Sequence, residues 1–294
     1  MVCLLINVIA GIASKDLAQK LSKKLGANLI NTELKIFPDG EGKITLKGKF
    51  HGSTTVVVQS IFPPVDSNLI QALALISKAK ENSSEVIAVI PYLGYARQDR
   101  EFLPGEIITM KVLGKLFKGA GASRIIVTDI HSKIGLKQLG LKSENVSAIP
   151  ELVKYFRKLQ LKKPLIVSPD QGGIERAKEF SKEIKLDFIA LQKVRDRKTG
   201  RVQIKNQNMK EVKGRDLILV DDMISTGGSI VKATEFLKKQ DCGRVFVTCT
   251  HALLINEAEK KIKKAGVTKI ISTNSIPNET AVVDISGIIA KAIK

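Results

Sequence analysis

Short runs of β-branched and aliphatic residues recur along the chain, at 54–58, 86–90, 125–127, 165–167, 217–220 and 245–247. Each is apolar nearly throughout instead of alternating, which is the pattern of a strand covered on both faces of a parallel sheet. Between them lie stretches with apolar residues at helical spacing, at 69–80, 108–117, 174–183 and 230–239. Strand and helix alternate, so the pattern predicts an α/β fold, each parallel sheet flanked by helices and functional residues gathered where strands end. Residues 2–14 are apolar, yet no Lys or Arg precedes them and Ser14-Lys15-Asp16-Leu17 carries a helix cap and first turn. Strand, turn and helix is therefore expected there in place of a leader peptide. No apolar run approaches the ~20 residues of a membrane-spanning helix.

The length, 294 residues, suits two domains of ordinary size better than one. Ser147-Ala148-Ile149-Pro150, where a Pro precedes a new helical pattern, sets the boundary, giving domains 1–147 and 148–294. Residues 111–131 can be laid on 231–251 without a gap, which brings Lys118, Arg124, Val127, Thr128 and His131 opposite Lys238, Arg244, Val247, Thr248 and His251. A duplicated α/β domain is the expectation.

Charge changes this picture only in part. A formal net charge of +19 makes the surface attractive to nucleic acid, anionic lipid or phosphorylated small molecules. Much of the excess Lys, as at 20, 23 and 24 or 260, 261, 263 and 264, sits at the spacing of a solvated helix face. Aromatics are 4% of residues and Trp is absent, so platforms for stacking bases are few and no specific nucleic-acid partner is expected. Cys3, Cys242 and Cys249 form no C-x-x-C pair, which argues against a disulfide framework or a Cys-ligated zinc and fits a cytoplasmic protein.

The strongest chemical signal is 217–229, a strand ending in Asp221-Asp222, a turn of Ser225-Thr226-Gly227-Gly228-Ser229, and a helix. Glycines let backbone N–H groups converge on a phosphate, the hydroxyls add donors, and the helix start favours an anion. Adjacent acids at a strand end can accept from the vicinal hydroxyls of a ribose. This segment resembles the phosphoribosyl-diphosphate motif of the type I phosphoribosyltransferase superfamily. Within it, ribose-phosphate diphosphokinases carry two tandem domains with the motif intact only in the second, and the duplicated pattern here is similar to theirs. The resemblance implies two phosphoribosyltransferase-like α/β domains and the transfer of a diphosphoryl group from ATP to ribose 5-phosphate.

Further segments extend the resemblance over nearly the whole chain. Phe37-Pro38-Asp39-Gly40-Glu41 is similar to the family's adenine-contacting loop, and residues 91–99, ending Ala96-Arg97-Gln98-Asp99, to its ATP segment. Phe37 can cover a purine face, Asp39 and Glu41 can accept from an amine or ribose, and Arg97 can pair with a phosphate. Taken singly, Phe37 fits core packing and Asp39-Gly40 a hairpin turn equally well. Thr128-Asp129-Ile130-His131 and Ser168-Pro169-Asp170-Gln171-Gly172-Gly173 also resemble family segments, which implies that His131 and Asp170 help hold Mg2+ and ATP and that residues 171–173 lie near the diphosphate.

Lys193-Val194-Arg195 opens a very basic stretch and is similar to the Lys-x-Arg of the family's catalytic loop. Two apart on an extended segment, Lys193 and Arg195 could both reach one phosphate; a solvated hairpin is the alternative. Ser225 stands where the family's common turn has Asp, one negative charge fewer. The resemblance further implies a homo-oligomer, a dimer or larger. Two rivals stay open at this stage: a transferase that consumes phosphoribosyl diphosphate, against which 37–41 and 97–99 argue, and a nucleic-acid-binding regulator on the same fold, against which Lys193 and Arg195 argue.

Overall fold

A computed structural model describes residues 6–195, 202–205 and 212–294, with the side chains of 192–195 and 202–205 outside that description. The first unit holds β1 (Ile6–Ala10), α1 (Lys15–Leu25), β2 (Asn28–Ile36), β3 (Gly42–Lys47), β4 (Gly52–Val58), α2 (Val65–Lys80), β5 (Ser83–Ile90), α3 (Thr109–Gly119), β6 (Arg124–Thr128), α4 (Lys133–Gln138) and β7 (Lys142–Val146). Its sheet runs β3-β2-β1-β4-β5-β6-β7. Every pair is parallel except the β2/β3 hairpin. The apolar runs of β4, β5 and β6 are buried, as their lack of alternation requires. Helix α1 shows the complementary pattern, with Leu17, Ala18 and Leu21 inward and Lys23 and Lys24 exposed. It stops at Gly26, whose left-handed φ of 62° suits glycine.

The second unit holds α5 (Ile149–Phe156), β8 (Leu165–Ser168), α6 (Ile174–Ile184), β9 (Phe188–Ala190), the β10 (Gln192–Arg195) and β11 (Val202–Lys205) ribbon, β12 (Leu217–Ile224), α7 (Gly228–Lys238), β13 (Val245–Ala252), α8 (Ala258–Lys264), β14 (Val267–Thr273) and β15 (Ala281–Val283). Its parallel sheet runs β15-β14-β13-β12-β8-β9, and Phe156, edge-on to Phe180 and Phe246, packs beneath it. The final helix, α9 (Ser286–Ile293), belongs elsewhere.

By contact, the first unit comprises Met1–Ser147, Asn274–Pro277 and Asp284–Lys294, and the second Ala148–Thr273 and Asn278–Val283. This corrects the expected second domain of 148–294. Helix α9 packs on α1 of the first unit, burying Ile289, Ala290 and Ile293. Arg124, opening β6, donates to the carbonyls of Ala292 and Ile293 at 2.9 Å each, filling the acceptors a helix leaves open at its end. No local sequence pattern could announce a helix that completes the opposite half of the chain.

The duplication also needs re-registering. In sheet order, β2-β1-β4-β5-β6-β7 corresponds to β9-β8-β12-β13-β14-β15; after its second chain-order strand the first unit adds one antiparallel strand, β3, and the second the separate β10/β11 ribbon. The topological partner of β6 is thus β14, whereas laying 111–131 on 231–251 sets β6 against β13. Consecutive βα units share burial and order, so a sequence can slide by one unit and still match. His251 accordingly differs from His131: it is 2% exposed within β13, while His131 is exposed on the loop after β6.

Asp216, 3% exposed at the foot of β12, ties three segments of the second unit together. Its carboxylate accepts from the Lys162 N–H at 2.7 Å, the Arg244 N–H at 3.0 Å and the Arg244 guanidinium at 2.6 Å. Burial pushes this carboxyl up, but the Arg244 guanidinium and the backbone donors outweigh it and leave it below its ordinary value. Its stabilisation is therefore present above the unfolded carboxylate pKa, about 3.9, and lost as pH falls through the lower folded value. Asp216→Ala should lower the unfolding free energy by about 3 kcal/mol at neutral pH, measured by urea titration, with the difference from the parent shrinking below about pH 4.

Candidate active site

The loop after β8 and the loop after β12 lie together at the carboxyl edge of the second unit's sheet. Ser168 closes β8 and donates to the Asp170 carbonyl at 2.7 Å, and the Asp170 carboxylate accepts from the Gly172 N–H at 3.1 Å, folding 168–172 into a tight turn before α6. A Cβ on Gly173 would stand 3.0 Å from the Ser168 hydroxyl. Strand β12 runs past its β8 partner, and Asp221 and Asp222, both half-buried, lie in this overhang. Their carboxylates accept from the next N–H along the chain, at 2.9 and 2.8 Å. Burial, with the Asp222 and Asp170 charges beside it, pushes the Asp221 carboxyl well above the carboxylate range.

The turn that follows leaves backbone exposed at the start of a helix. Gly227, immediately before α7, takes a left-handed φ of 75°. Gly228 and Thr226 are exposed, with Ser225 and Ser229 half-buried on either side, and a Cβ on Gly228 would meet nothing within 4 Å. In the first unit the end of β4, which corresponds to the end of β12, carries a neutral amide where β12 carries its acids. Gln59 is buried there, accepting from the Ala13 N–H at 3.1 Å and donating to Asn68 at 3.1 Å, and a Cβ on Gly11 would collide with its amide at 2.2 Å.

The first unit presents other loops. Phe37, Asp39 and Glu41 lie on the β2/β3 turn, where the Phe37 and Glu41 backbones join at 2.9 Å and Asp39 accepts from the Glu41 N–H at 3.0 Å. Both alternatives for this segment are thereby decided: it is a hairpin turn, and Phe37 is no core residue, since its ring is half-exposed with the Lys35 ammonium 5.1 Å from its centre. Arg97 and Gln98 are exposed on the loop after β5, between buried Ala96 and Asp99. Asp99 accepts from Arg100 at 3.1 Å and from the Ser132 hydroxyl, and with these donors its carboxyl lies below the usual range. The Tyr95 hydroxyl donates to Asp66. Sequence reasoning missed Ser132, Tyr95 and Asp66; only Ser132 had a signal, a capping residue between a strand and a helix.

Lys193 and Arg195 occupy β10, in antiparallel register with Ile204 and Val202. The basic stretch beyond them, 196–201, lies outside the described residues. His131 and Asp170, paired as metal contacts in the sequence, lie in different units. Among the described residues no three His, Cys, Asp or Glu side chains are already grouped as a metal site. The crowding of Asp170, Asp221 and Asp222 nevertheless suits a hard cation, which takes oxygen ligands and would relieve their repulsion.

Sheet order, paired strand-end acids and an open Gly227-Gly228 cradle define a phosphoribosyltransferase-type protein, its fold built twice and its phosphate turn retained once. Residues 6–121 match the model of the N-terminal domain of ribose phosphate pyrophosphokinase, and residues 148–285 the phosphoribosyl transferase domain. The ribose-phosphate pyrophosphokinase of Sulfurisphaera tokodaii is 35% identical over 97% of this chain and 99% of its own length, and that of Methanopyrus kandleri 36% identical over 98% of each. The crystal structure of phosphoribosylpyrophosphate synthetase from Mycobacterium smegmatis superposes with a TM-score of 0.85 at 26% identity, covering 98% of this chain and 97% of that one. The chain belongs to the ribose-phosphate pyrophosphokinase family.

The two glycines of the cradle should respond differently to substitution. Gly227→Ala meets both a left-handed backbone and the Ile262 side chain, 2.8 Å from the new Cβ. It should cost about 2 kcal/mol of stability, whereas Gly228→Ala should change the denaturation midpoint little, as thermal melts would show.

Proposed function

We propose that this protein transfers the diphosphoryl group of ATP to the anomeric hydroxyl of ribose 5-phosphate, giving 5-phosphoribosyl 1-diphosphate and AMP. The observation that carries the reading is the contrast between the units: the turn after β12 is open in front of Gly228, the end of β4 carries buried Gln59 where β12 carries Asp221, and the first unit instead exposes Arg97, Gln98 and His131, with Phe37 half-exposed. Ser225, Thr226, Gly227, Gly228 and Ser229 take the 5-phosphate, and Asp221 and Asp222 accept from the ribose hydroxyls. Phe37 covers the adenine, Asp39 and Glu41 accept from the nucleoside, and Arg97, Gln98, Asp99 and His131 serve the ATP phosphates.

His131 in the first unit and Asp170 in the second are each proposed to contact a divalent cation, Mg2+ in this reading; such a cation would neutralise charge on the ATP phosphates. The substrate hydroxyl forms a bond to the β-phosphorus while the bond from that phosphorus to the AMP oxygen breaks, so the protein's task is alignment and charge compensation. Lys193 and Arg195 supply donors to the oxygens around the transferring phosphorus. Self-association and a cytoplasmic location belong to the same reading; among the described residues no helix is long and apolar enough to cross a membrane.

Incubation with Mg-ATP and ribose 5-phosphate should release AMP together with an acid-labile sugar diphosphate; release of ADP alone would overturn the reading. Gly228→Val should raise KM for ribose 5-phosphate about tenfold or more with the fold intact, because the added side chain enters open space in front of the cradle. Lys193→Ala and Arg195→Ala should each lower kcat by roughly 10²–10³ with little change in KM for Mg-ATP, and the double variant should be less than multiplicatively worse. Near-normal kcat in both single variants would remove the pair from the mechanism.

A further inference from the structure

The two first-unit loops assigned to ATP phosphates leave neighbouring strands, one from β5 with Arg97 and Gln98, the other from β6 with His131. Pairing of Ile90 with Val127 fixes where these loops begin, but not how far apart their tips stand. The join between the tips is Ser132. Its hydroxyl donates to the Asp99 carboxylate and accepts from the Gly135 N–H at 3.1 Å, capping α4 one residue after His131. Asp99 is 3% exposed, so little of it is open to a ligand, and its carbonyl is held by the Gln138 amide at 2.8 Å.

The other end of the arc is fixed independently. Tyr95 holds a left-handed φ of 64°, a conformation that bulky side chains keep only where surroundings enforce it, and its hydroxyl donates to Asp66 in the first turn of α2. Gly94 backs so closely onto Ile61 that a Cβ there would stand 2.8 Å from its carbonyl. The segment from Tyr95 to Asp99 is thus clamped at both ends, and Arg97 and Gln98 are its exposed members.

We propose that Ser132 is a positioning residue: its hydroxyl, shared between Asp99 and the start of α4, sets the separation of Arg97 and Gln98 from His131, and Asp99 serves the nucleotide through this brace instead of touching it. This rests on the assignment of the two loops to ATP. Ser132→Ala removes the hydroxyl, and Ser132→Thr retains it. Hydrogen exchange at the amides of Arg97 and Gln98 reads the brace directly, and KM for Mg-ATP against KM for ribose 5-phosphate reads its purpose.

In Ser132→Ala the exchange should quicken and KM for Mg-ATP should rise about tenfold, the factor a single hydrogen bond to a charged group carries, with KM for ribose 5-phosphate unchanged. Ser132→Thr should restore both. Unchanged exchange in Ser132→Ala would overturn the brace. Faster exchange with an unaltered KM for Mg-ATP, or a rise that Thr fails to reverse, would overturn the positioning role. Should the parent form no AMP, the assignment of the loops falls, while the exchange measurement still decides whether Ser132 joins them.

Discussion

Strand β12 pairs in register with β8 on one side and β13 on the other, Leu219 lying level with Val167 and Val247, and the chemistry of the second unit follows from that register. Parallel strands bring their carboxyl ends to one edge, but β12 and β13 continue together, Asp221 beside Cys249 and Met223 beside His251, after β8 has turned away. One flank of Asp221 and Asp222 is therefore backbone-paired, and the other faces the 169–173 turn. The same register that makes the site brings Asp170 towards these acids and strains the ionisation of Asp221. The buried apolar strand beneath holds these acids together against their mutual repulsion.

The first unit shows that this backbone plan does not dictate its use. Strand β4 stands between β1 and β5 as β12 stands between β8 and β13, yet its end carries Gln59 where β12 carries acids. That neutral amide supplies both acceptor and donor, and both are taken up within the unit by the Ala13 N–H and the Asn68 side chain. The loops of β5 and β6 are the exposed ones instead. The two equivalent strand ends thus differ in residue class, a neutral amide in one unit and paired acids in the other.

The parallel strands were legible because a strand buried on both faces must be apolar at nearly every position, and no solvent-facing residues dilute that signal. The strand, turn and helix around Asp221 to Ser229 were legible because the residues that make them are contiguous. Ser132 with Asp99 and Tyr95 with Asp66 were not, since the partners lie 33 and 29 residues apart and meet only through the sheet. The repeat was recognised one βα unit out of step, because neighbouring units obey the same burial rules and strand order alone distinguishes them. The affiliation of α9 was illegible for a different reason: its apolar face is legible, but not which half of the chain it covers.

That affiliation bears on how the protein is made. Domains generally fold as units while the chain leaves the ribosome, the amino-terminal one first. Here the face of α1 that receives α9, and the Arg124 guanidinium that holds the Ala292 and Ile293 carbonyls, must wait until the entire second unit has been translated. At about 5–20 residues per second that interval lasts several seconds or more, during which the nascent first unit carries an uncovered apolar strip. The interleaving of the two units along the chain thus shows itself in the order of synthesis more than in the finished fold.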